Sequence, residues 1–313
     1  MSDLKLTFLG TGAGSPSTTR NVSAVALNWV QQGALWLFDA GEGTQQQVLR
    51  APVRLSQLEQ IYVTHLHGDH VFGLPGLLAS RSSAQDLETP VTIFGPPGLE
   101  EWLRVTLRLT ATGLRFPLHF VTISEGLIFE DDTRTVHCRR LAHRIPSYGY
   151  RVTEKPKPGT FDVSSARALS IAPGPVYGRL KAGETVTLDD GQVVDGAALV
   201  GPERPGRVLC LCGDTAPTAA TVELASSADV LVHEATFLAE QAERAVISGH
   251  STAADAGRMA RESGAKTLIL THISPRYESD GASRLVELLT EAQAVFPNTL
   301  LAHDFWEYGV SSR

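Results

Sequence analysis

The sequence Thr64-His-Leu-His-Gly-Asp-His70 holds three imidazoles and one carboxylate within six residues, directly behind an apolar run that predicts a strand at Gln60–Thr64. His65 and His67 are two residues apart, so in an extended segment their side chains point the same way. Imidazole nitrogens are common ligands of divalent metal ions, zinc above all. The pattern therefore indicates a metal site at the end of this strand.

Asp69 and His70 lie at the predicted turn into a helix, where they can face a second position. The spacing suits two metal ions held side by side. The other interpretation is a polar loop of solvated histidines. It is disfavoured because four strong ligands would have to group by accident just before a glycine-rich helix start, Gly73–Gly76.

Composition is that of a globular protein, with 313 residues, 42% hydrophobic and 19% charged, enough for one large core or two ordinary ones. No stretch approaches the roughly 20 apolar residues that a membrane span needs. Met1–Leu9 follows a strand pattern and has no basic region before an apolar one, which argues against a secretory signal. These features predict a cytoplasmic protein with no membrane partner.

The three cysteines are too few for a disulfide framework. Cys210 and Cys212 form a C-x-C pair in an apolar run, where both side chains would lie on one face of a buried strand. This pattern favours small core residues over a thiolate metal site, and Cys138 carries no motif.

Strand and helix patterns alternate along the chain in two similar halves, which predicts an α/β fold. Predicted strands in the first half are Leu4–Leu9, Ser23–Val30, Ala34–Phe38, Gln60–Thr64 and Val91–Phe94, followed by a helix at Gly98–Leu109. The second half has predicted strands at Arg207–Leu211, Asp229–Val232 and Thr267–Leu270, and helices at Ala253–Ser263 and Ala282–Ala294.

Residues 151–195 interrupt this alternation with four prolines, several glycines and no sustained periodicity before a hairpin signal at Thr185–Val194. We interpret the segment as an inserted arm within a single domain of residues 1–313 rather than as a linker between domains.

Three further candidate ligands follow strand patterns. His143 ends the alternating run Thr135–Ala142, Asp214 follows the strand at Arg207–Leu211, and His272 follows the strand at Thr267–Leu270. Each alone could equally be an ordinary hydrogen-bonded residue. Because functional groups in α/β proteins collect at the carboxyl ends of strands, all three could converge on the first cluster and complete a pair of metal sites.

At full length the chain resembles the ribonuclease Z family, zinc endonucleases of the metallo-β-lactamase superfamily that remove the 3′ trailer from precursor tRNA. The superfamily motif is Thr64–His70. The more specific segments are Phe8–Pro16, Phe38–Gln45, His143–Arg151, His233–Thr236 and His250–Thr252, and Pro173–Gly183, which resembles the base of the family's protruding tRNA-binding arm.

The resemblance implies a four-layered αβ/βα sandwich with two zinc ions per chain. One zinc would be held by His65, His67 and His143, the other by Asp69, His70 and His272, with Asp214 bridging both. It also implies a homodimer in which each arm presents precursor tRNA to the partner subunit.

Two residues are candidates for proton transfer. Asp69 is placed to orient or deprotonate the attacking water, and a pair of metal ions needs no covalent protein nucleophile. His250 is the candidate for assisting the leaving 3′ oxygen, aligned by Glu234 or a neighbouring acid. The other interpretation of His250 is a neighbour of the helix cap, since Ser251 and Thr252 precede the helix at Ala253–Ser263. The remaining histidines receive no catalytic role, and His233 is expected to be structural.

Charge is distributed unevenly. Residues 151–181 carry six Lys or Arg and two Asp or Glu, a net charge of +4, although the chain as a whole is at −7. A basic arm on an acidic body fits local contacts with RNA phosphates, and a solvated charged loop is the other interpretation. A small-molecule phosphodiesterase or arylsulfatase of the same fold would use the same ligands without the arm. A metal-free RNA-binding protein would keep the arm but tolerate loss of ligands, so the intact ligand set argues against it.

Overall fold

The computed structural model describes residues 2–83, 89–279 and 282–311. The strands are β1 (Leu4–Gly10), β2 (Ala24–Trp29), β3 (Ala34–Phe38), β4 (Leu58–Tyr62), β5 (Val91–Gly95), β6 (Leu118–Thr122), β7 (Gly126–Glu130), β8 (Arg134–Leu141), β9 (Ser147–Glu154), β10 (Thr185–Thr187), β11 (Val193–Asp195), β12 (Val208–Cys212), β13 (Val230–Glu234), β14 (Thr267–Thr271), β15 (Thr299–Leu301) and β16 (Glu307–Gly309). The helices are α1 (Thr44–Arg50), α2 (Gly68–Val71), α3 (Leu74–Ser83), α4 (Leu99–Leu109), α5 (Val163–Ala168), α6 (Pro175–Lys181), α7 (Ala219–Leu224), α8 (Ala242–Ser248), α9 (Ala253–Ser263), α10 (Arg276–Ser279) and α11 (Ala282–Val295).

Within the described ranges these strands form two seven-stranded sheets and a separate two-stranded hairpin. The first sheet has the order β16-β1-β2-β3-β4-β5-β6, antiparallel up to β3 and parallel from β3 to β6. The second has the order β15-β14-β13-β12-β9-β8-β7, with parallel pairing from β15 to β12. The first sheet combines β1–β6 with the C-terminal strand β16, and the second combines β7–β9 with β12–β15, so both sheets are mixed and each contains strands from both halves of the chain.

Alternating side chains divide the sandwich into layers. In β1 the side chains of Leu4, Leu6 and Phe8 join the central core, which also contains Leu209 and Leu211 of β12. Burying each such side chain contributes about 1.5–3 kcal/mol, so this shared core holds the two sheets together.

The outer faces pack on helices. Leu37 of β3 lies in a cluster with Leu77 of α3, whereas Cys210 of β12 lies in one with Ala256 of α9 and Leu288 of α11. The resulting order of layers, helix, sheet, sheet, helix, confirms the predicted αβ/βα sandwich.

The strand that leads into the histidine motif ends at Tyr62, two residues earlier than predicted. The reason is a side chain: the backbone N–H of Thr64 donates to Asp39 Oδ1 at 2.7 Å instead of to a neighbouring strand. From Val63 to Leu66 the backbone has no regular structure, so the histidines leave the sheet and face its carboxyl end.

A second compact unit consists of residues 131–134 and 154–206, while the sandwich comprises the chain up to Glu130, Thr135–Thr153 and the chain from Arg207. The second unit contains α5, α6 and the hairpin β10–β11, which lies where the hairpin signal predicted one. It has its own apolar cluster: Ala166, Ile171, Leu180, Val186, Val194 and Leu199. It also continues to residue 206, beyond the predicted limit at 195.

The two helices of this unit are six and seven residues long, too short for a repeating apolar pattern to reveal them in the sequence. Local signals account for them instead. Asp162 caps α5 by accepting from the N–H groups of Ser164 and Ser165, and Pro175 occupies the start of α6.

All three cysteines have free thiols, and Cys210 lies with Cys212 on the helix-facing side of β12. Among the described helices, none is both long and apolar enough to cross a bilayer. Met1, part of the predicted first strand pattern, lies outside the described residues.

Candidate metal centre

The centre lies where parallel strands end. Asp39 follows β3, the motif from Thr64 follows β4, Asp214 follows β12, and His272 follows β14. Because β3 and β4 are parallel neighbours, as are β12, β13 and β14, their carboxyl ends bring these residues to one rim.

Close backbone contacts fix the loop that carries Asp69 and His70. A Cβ atom on Gly41 would lie 2.2 Å from the carbonyl oxygen of Asp69, and one on Gly73 would lie 2.0 Å from the carbonyl oxygen of Gly41. The N–H of Ala40 donates to the carbonyl oxygen of His70 at 2.8 Å. Gly41 and Gly73 are therefore glycines because the main chains touch.

One ligand group consists of His65, His67, His143 and Asp214, whose donor atoms lie within 4.8 Å of one another. His67 Nδ1 is 3.0 Å from His65 Nε2 and 3.3 Å from His143 Nε2. The Oδ2 atom of Asp214 lies 3.6 Å from His65 Nε2.

The second group consists of Asp69, His70, His272 and the same Asp214. Asp69 Oδ2 is 3.4 Å from His70 Nε2 and 3.3 Å from His272 Nε2. Asp214 turns its other oxygen, Oδ1, to this group, 3.5 Å from His70 Nε2 and 3.3 Å from His272 Nε2. One carboxylate thus presents one oxygen to each group.

Hydrogen bonds at the outer nitrogens set the direction of the imidazoles. Thr64 Oγ1 donates to Asp39 Oδ2, so it is free to accept from His65 Nδ1 at 2.9 Å. His70 Nδ1 donates to the same Asp39 oxygen at 2.7 Å, and His143 Nδ1 donates to the carbonyl oxygen of Gly249 at 2.7 Å. In each case the proton sits on Nδ1, and Nε2 faces the centre.

The ring of His272 is also oriented by a hydrogen bond at its outer nitrogen. Thr236 Oγ1 donates to Glu234 Oε2 at 2.6 Å and therefore accepts from His272 Nδ1 at 2.9 Å. The backbone of His272 adopts a positive φ of 55°, which is strained for a residue with a side chain.

The residues fit divalent metal ions. His70 Nε2 is buried and has no hydrogen-bond partner among the residues the structure describes, which is costly unless a ligand meets it. Burial lowers the pKa of His65 to about 2, so its Nε2 lone pair is available at neutral pH. Burial opposes protonation of His70 as well, but Asp214 and Asp39 raise its pKa well above the usual value, so a metal ion that bound there would have to displace a proton.

His250 lies beside the second group. Its Nδ1 is 2.8 Å from Glu234 Oε1, and its ring stacks at 5.5 Å between centroids on His272. Burial alone would lower the pKa of His250, but the Glu234 carboxylate raises it to about 9. Glu234 is itself held by the N–H groups of Thr215 and Ser251.

The helix cap does not need His250. Thr252 caps α9 in a reciprocal pair with Asp255, and Ser251 Oγ donates to the carbonyl oxygen of Thr215. His250 is left with Nε2 unused by any hydrogen bond to the described residues, although its ring lines the cleft over the ligands.

The other histidines lie elsewhere. His233 is fully buried in β13 with Nδ1 at 2.8 Å from the carbonyl oxygen of Glu234. The remaining three are exposed: His119, His137 and His303.

Sequence reasoning gave no role to Asp39, which orients His70 and ends β4. Asp39 directly follows β3. Asp214 and His272 were identified as candidates because they follow predicted strands, and the same criterion would have identified Asp39. Asp69 receives a further contact from the glycine-rich loop after β1: the N–H of Gly14 donates to its Oδ2 at 2.9 Å.

A cavity of about 530 Å³ opens over the ligands. Three arginines line it, Arg144, Arg244 and Arg276, together with the aromatic rings of Phe72 and Phe237. The cleft therefore combines cations and apolar faces next to the metal-binding groups.

The second compact unit is less basic than residues 151–181 suggest. Its residues 154–206 contain six Lys or Arg and seven Asp or Glu, a net charge of −1. Lys157 pairs with Glu154 at 3.3 Å and Arg179 with Glu184 at 2.9 Å, which leaves fewer cations available to phosphates.

The chain is similar to known proteins over most of its length. Residues 4–116 match the family model of the anti-Pycsar protein Apyc1. Proteins named ribonuclease Z from Brevibacillus brevis and Geobacillus kaustophilus are each 51% identical to the chain, over 97% and 98% of its length and 96% and 99% of theirs. A ribonuclease Z from Synechococcus sp. strain CC9605 is 50% identical over 99% of both chains.

Solved structures give the same result. The short form of human tRNase Z superposes with a TM-score of 0.70 at 31% identity, covering 98% of this chain and 99% of that one. The metallo-β-lactamase-fold protein YhfI of Bacillus subtilis superposes with a TM-score of 0.68 at 17% identity over 97% of this chain and 98% of that one, which supports the fold. With relatives about half identical over almost their whole length and the ligand groups of the fold in place, this chain belongs to the ribonuclease Z family.

Proposed function

We propose that the protein is a zinc-dependent endoribonuclease that removes the 3′ trailer of precursor tRNA and leaves a 3′-hydroxyl. The observation that carries the proposal is the pair of ligand groups joined by Asp214, in a chain about 50% identical to proteins named ribonuclease Z. The cytoplasmic location predicted from the sequence remains a prediction.

Two zinc ions per chain would occupy the two groups. His65, His67 and His143 would hold one ion, and Asp69, His70 and His272 the other. Asp214 would contribute one oxygen to each. When bound, such a pair supplies a nucleophilic water at neutral pH and neutralises charge on the phosphate oxygens during in-line attack.

The protein's own groups would move the protons. Asp69 would accept the proton of the attacking water or orient that water, supported by the N–H of Gly14 on its Oδ2. His250 would donate the proton on Nε2 to the leaving 3′ oxygen of the tRNA, since its Nδ1 is committed to Glu234. Glu234 favours the charged imidazole that this role requires.

Substrate binding would use the arginine-lined cleft and the arm of residues 151–195. Phosphates of the acceptor end would bind the exposed cations of the cleft, and the arm would bind the tRNA body. The family resemblance further supports a homodimer, in which the arm of one subunit presents the tRNA to its partner.

The decisive experiment is incubation of the purified, zinc-loaded protein with a precursor tRNA. The expected result is one cut immediately after the discriminator base, a 3′-hydroxyl on the tRNA and loss of the reaction in a chelator. A protein that leaves precursor tRNA intact but hydrolyses small phosphodiesters or aryl sulfates would instead be the small-molecule hydrolase considered from the sequence.

The arm gives the first mutational prediction. Its two ends are adjacent, since Lys157 and Arg204 exchange backbone hydrogen bonds at 2.9 Å. Replacing residues 158–203 with a short Gly/Ser turn should raise KM for precursor tRNA by roughly 10- to 100-fold, because the arm is proposed to bind ground and transition states equally. The log–log salt dependence of tRNA binding should also become flatter, by up to about 0.9 for every phosphate that the arm no longer binds.

The controls for this variant are zinc content, thermal unfolding of the sandwich and hydrolysis of a small phosphodiester, all expected to be nearly unchanged. Unchanged KM and salt slope on precursor tRNA would show that the arm is not the RNA anchor.

A further inference from the structure

Phe72 is exposed at the place where the chemistry is proposed to occur. Its side chain is 61% exposed, and its ring lines the cleft over the metal-binding groups together with His67 and Asp69. Burying a phenylalanine side chain stabilises a protein by about 1.5–3 kcal/mol, and this ring forgoes much of that gain beside the polar ligands.

The ring is held in place by its own turn. The N–H of Phe72 donates to the carbonyl oxygen of Gly68 at 2.9 Å, and a Cβ atom on Gly68 would lie 2.2 Å from ring atom Cε2. Trp102 of α4 lies 6.3 Å from the ring between centroids, at an interplanar angle of 37°. Because Asp69 and His70 belong to the same turn, the position of the ring is tied to that of the ligands.

Other cleft residues supply positive charge. Arg144 and Arg244 are both exposed and line the cleft, and Arg144 directly follows the ligand residue His143. Neither forms a salt bridge with any residue in the described ranges, so both guanidinium groups are available to phosphates. Cations that follow a phosphate backbone, combined with a ring on which a base stacks, are the features that bind single-stranded nucleic acid without reading its sequence.

We propose that Phe72 is a stacking platform for the base of a nucleotide next to the scissile phosphate, and so positions the unpaired 3′ end of the RNA over the metal centre. The proposal rests on the proposed function and specifies one contact of that same site. It assigns Phe72 a positioning role, with no part in proton transfer or metal binding.

The test combines protein variants with base-free substrates. Phe72→Ala should lower kcat/KM on precursor tRNA by roughly 5- to 100-fold, the usual cost of losing one base–aromatic stack. On a precursor with an abasic nucleotide at the stacked position, the wild-type protein should lose a similar factor, and Phe72→Ala should lose less than about twofold more, because the two changes remove the same interaction. Abasic nucleotides are placed in turn on the two sides of the scissile bond.

Three further variants separate stacking from packing. Phe72→Tyr should retain most of the activity. Phe72→Leu keeps apolar volume over Gly68 but has no flat ring, so it should behave like Phe72→Ala. Leu109→Ala, at a 76% exposed apolar residue of α4 that does not line the cleft, should match the wild type. Zinc content should be the same in every variant.

The proposal is overturned if Phe72→Leu is as active as the wild type, or if Phe72→Ala loses the same factor on intact and on both abasic substrates. These outcomes leave the proposed function standing, because the wild-type protein still cuts the precursor. A wild-type protein that does not cut precursor tRNA at all would refute the proposed function and this positioning role together.

Discussion

Replacing Asp214 with Ala is expected to empty both metal sites and to lower kcat/KM on precursor tRNA by at least about 10³-fold, since the paired ions supply both the nucleophile and the charge neutralisation. Its two oxygens face different groups, with Oδ2 near His65 and Oδ1 near His70 and His272. Elemental analysis should show about two zinc ions per wild-type chain and well below one in Asp214→Ala.

A variant that changes a ligand of only one group makes this prediction specific. His67 contacts only the first group, so His67→Ala should weaken chiefly one ion. His119→Ala, at an exposed histidine outside the centre, should keep both ions and full activity. A full pair of ions in Asp214→Ala would contradict the bridging assignment.

Replacing His250 with Ala is expected to lower kcat on precursor tRNA by roughly 10²-fold or more, the usual contribution of a general acid. The loss should be much smaller on a nitrophenyl phosphodiester, because nitrophenolate leaves without a proton. The comparison of leaving groups isolates proton donation from any effect on binding.

Zinc content decides between this role and a structural one. Glu234, His250 and His272 also have donor atoms within 4.8 Å of one another, so a change at His250 could disturb the second ion. Unchanged zinc with an equal loss on both substrates would count against the donor role, and a lower zinc content would identify His250 as a support of the metal centre.

The fold class and most strands of the sandwich follow from sequence alone, because buried strands such as Ala34–Phe38 are short apolar runs between turn signals. Helix α9 is predicted to the residue, since Thr252 and Asp255 form its cap and Gly264 ends it. Sequence patterns do not predict the edge strands β6 and β7, because their residues are only exposed or half-buried and show no clear apolar alternation.

The candidate ligands could be named from the sequence, but their grouping could not be derived from spacing. Asp214 is separated from His65 by about half of the chain, and only the pairing of parallel strands within each sheet brings each of them to a carboxyl edge. That one carboxylate divides its oxygens between two groups is a property of side-chain geometry. Hydrogen bonds that orient the ligands, such as the one between Thr236 and His272, cannot be predicted from the sequence, because a threonine hydroxyl can bond to many partners.

The place where the arm enters the chain has a consequence for how such enzymes diversify. β9 and β12 are antiparallel neighbours in one sheet, paired from Val208 with Thr153 to Cys212 with Gly149. Residues 155–207, which connect them, therefore take the place of a short hairpin loop. Closing a hairpin costs only about 0.6 kcal/mol more for each doubling of loop length. Evolution can therefore lengthen, trim or exchange this loop at nearly constant stability of the sandwich, and substrate range can drift while the hydrolytic machinery stays fixed.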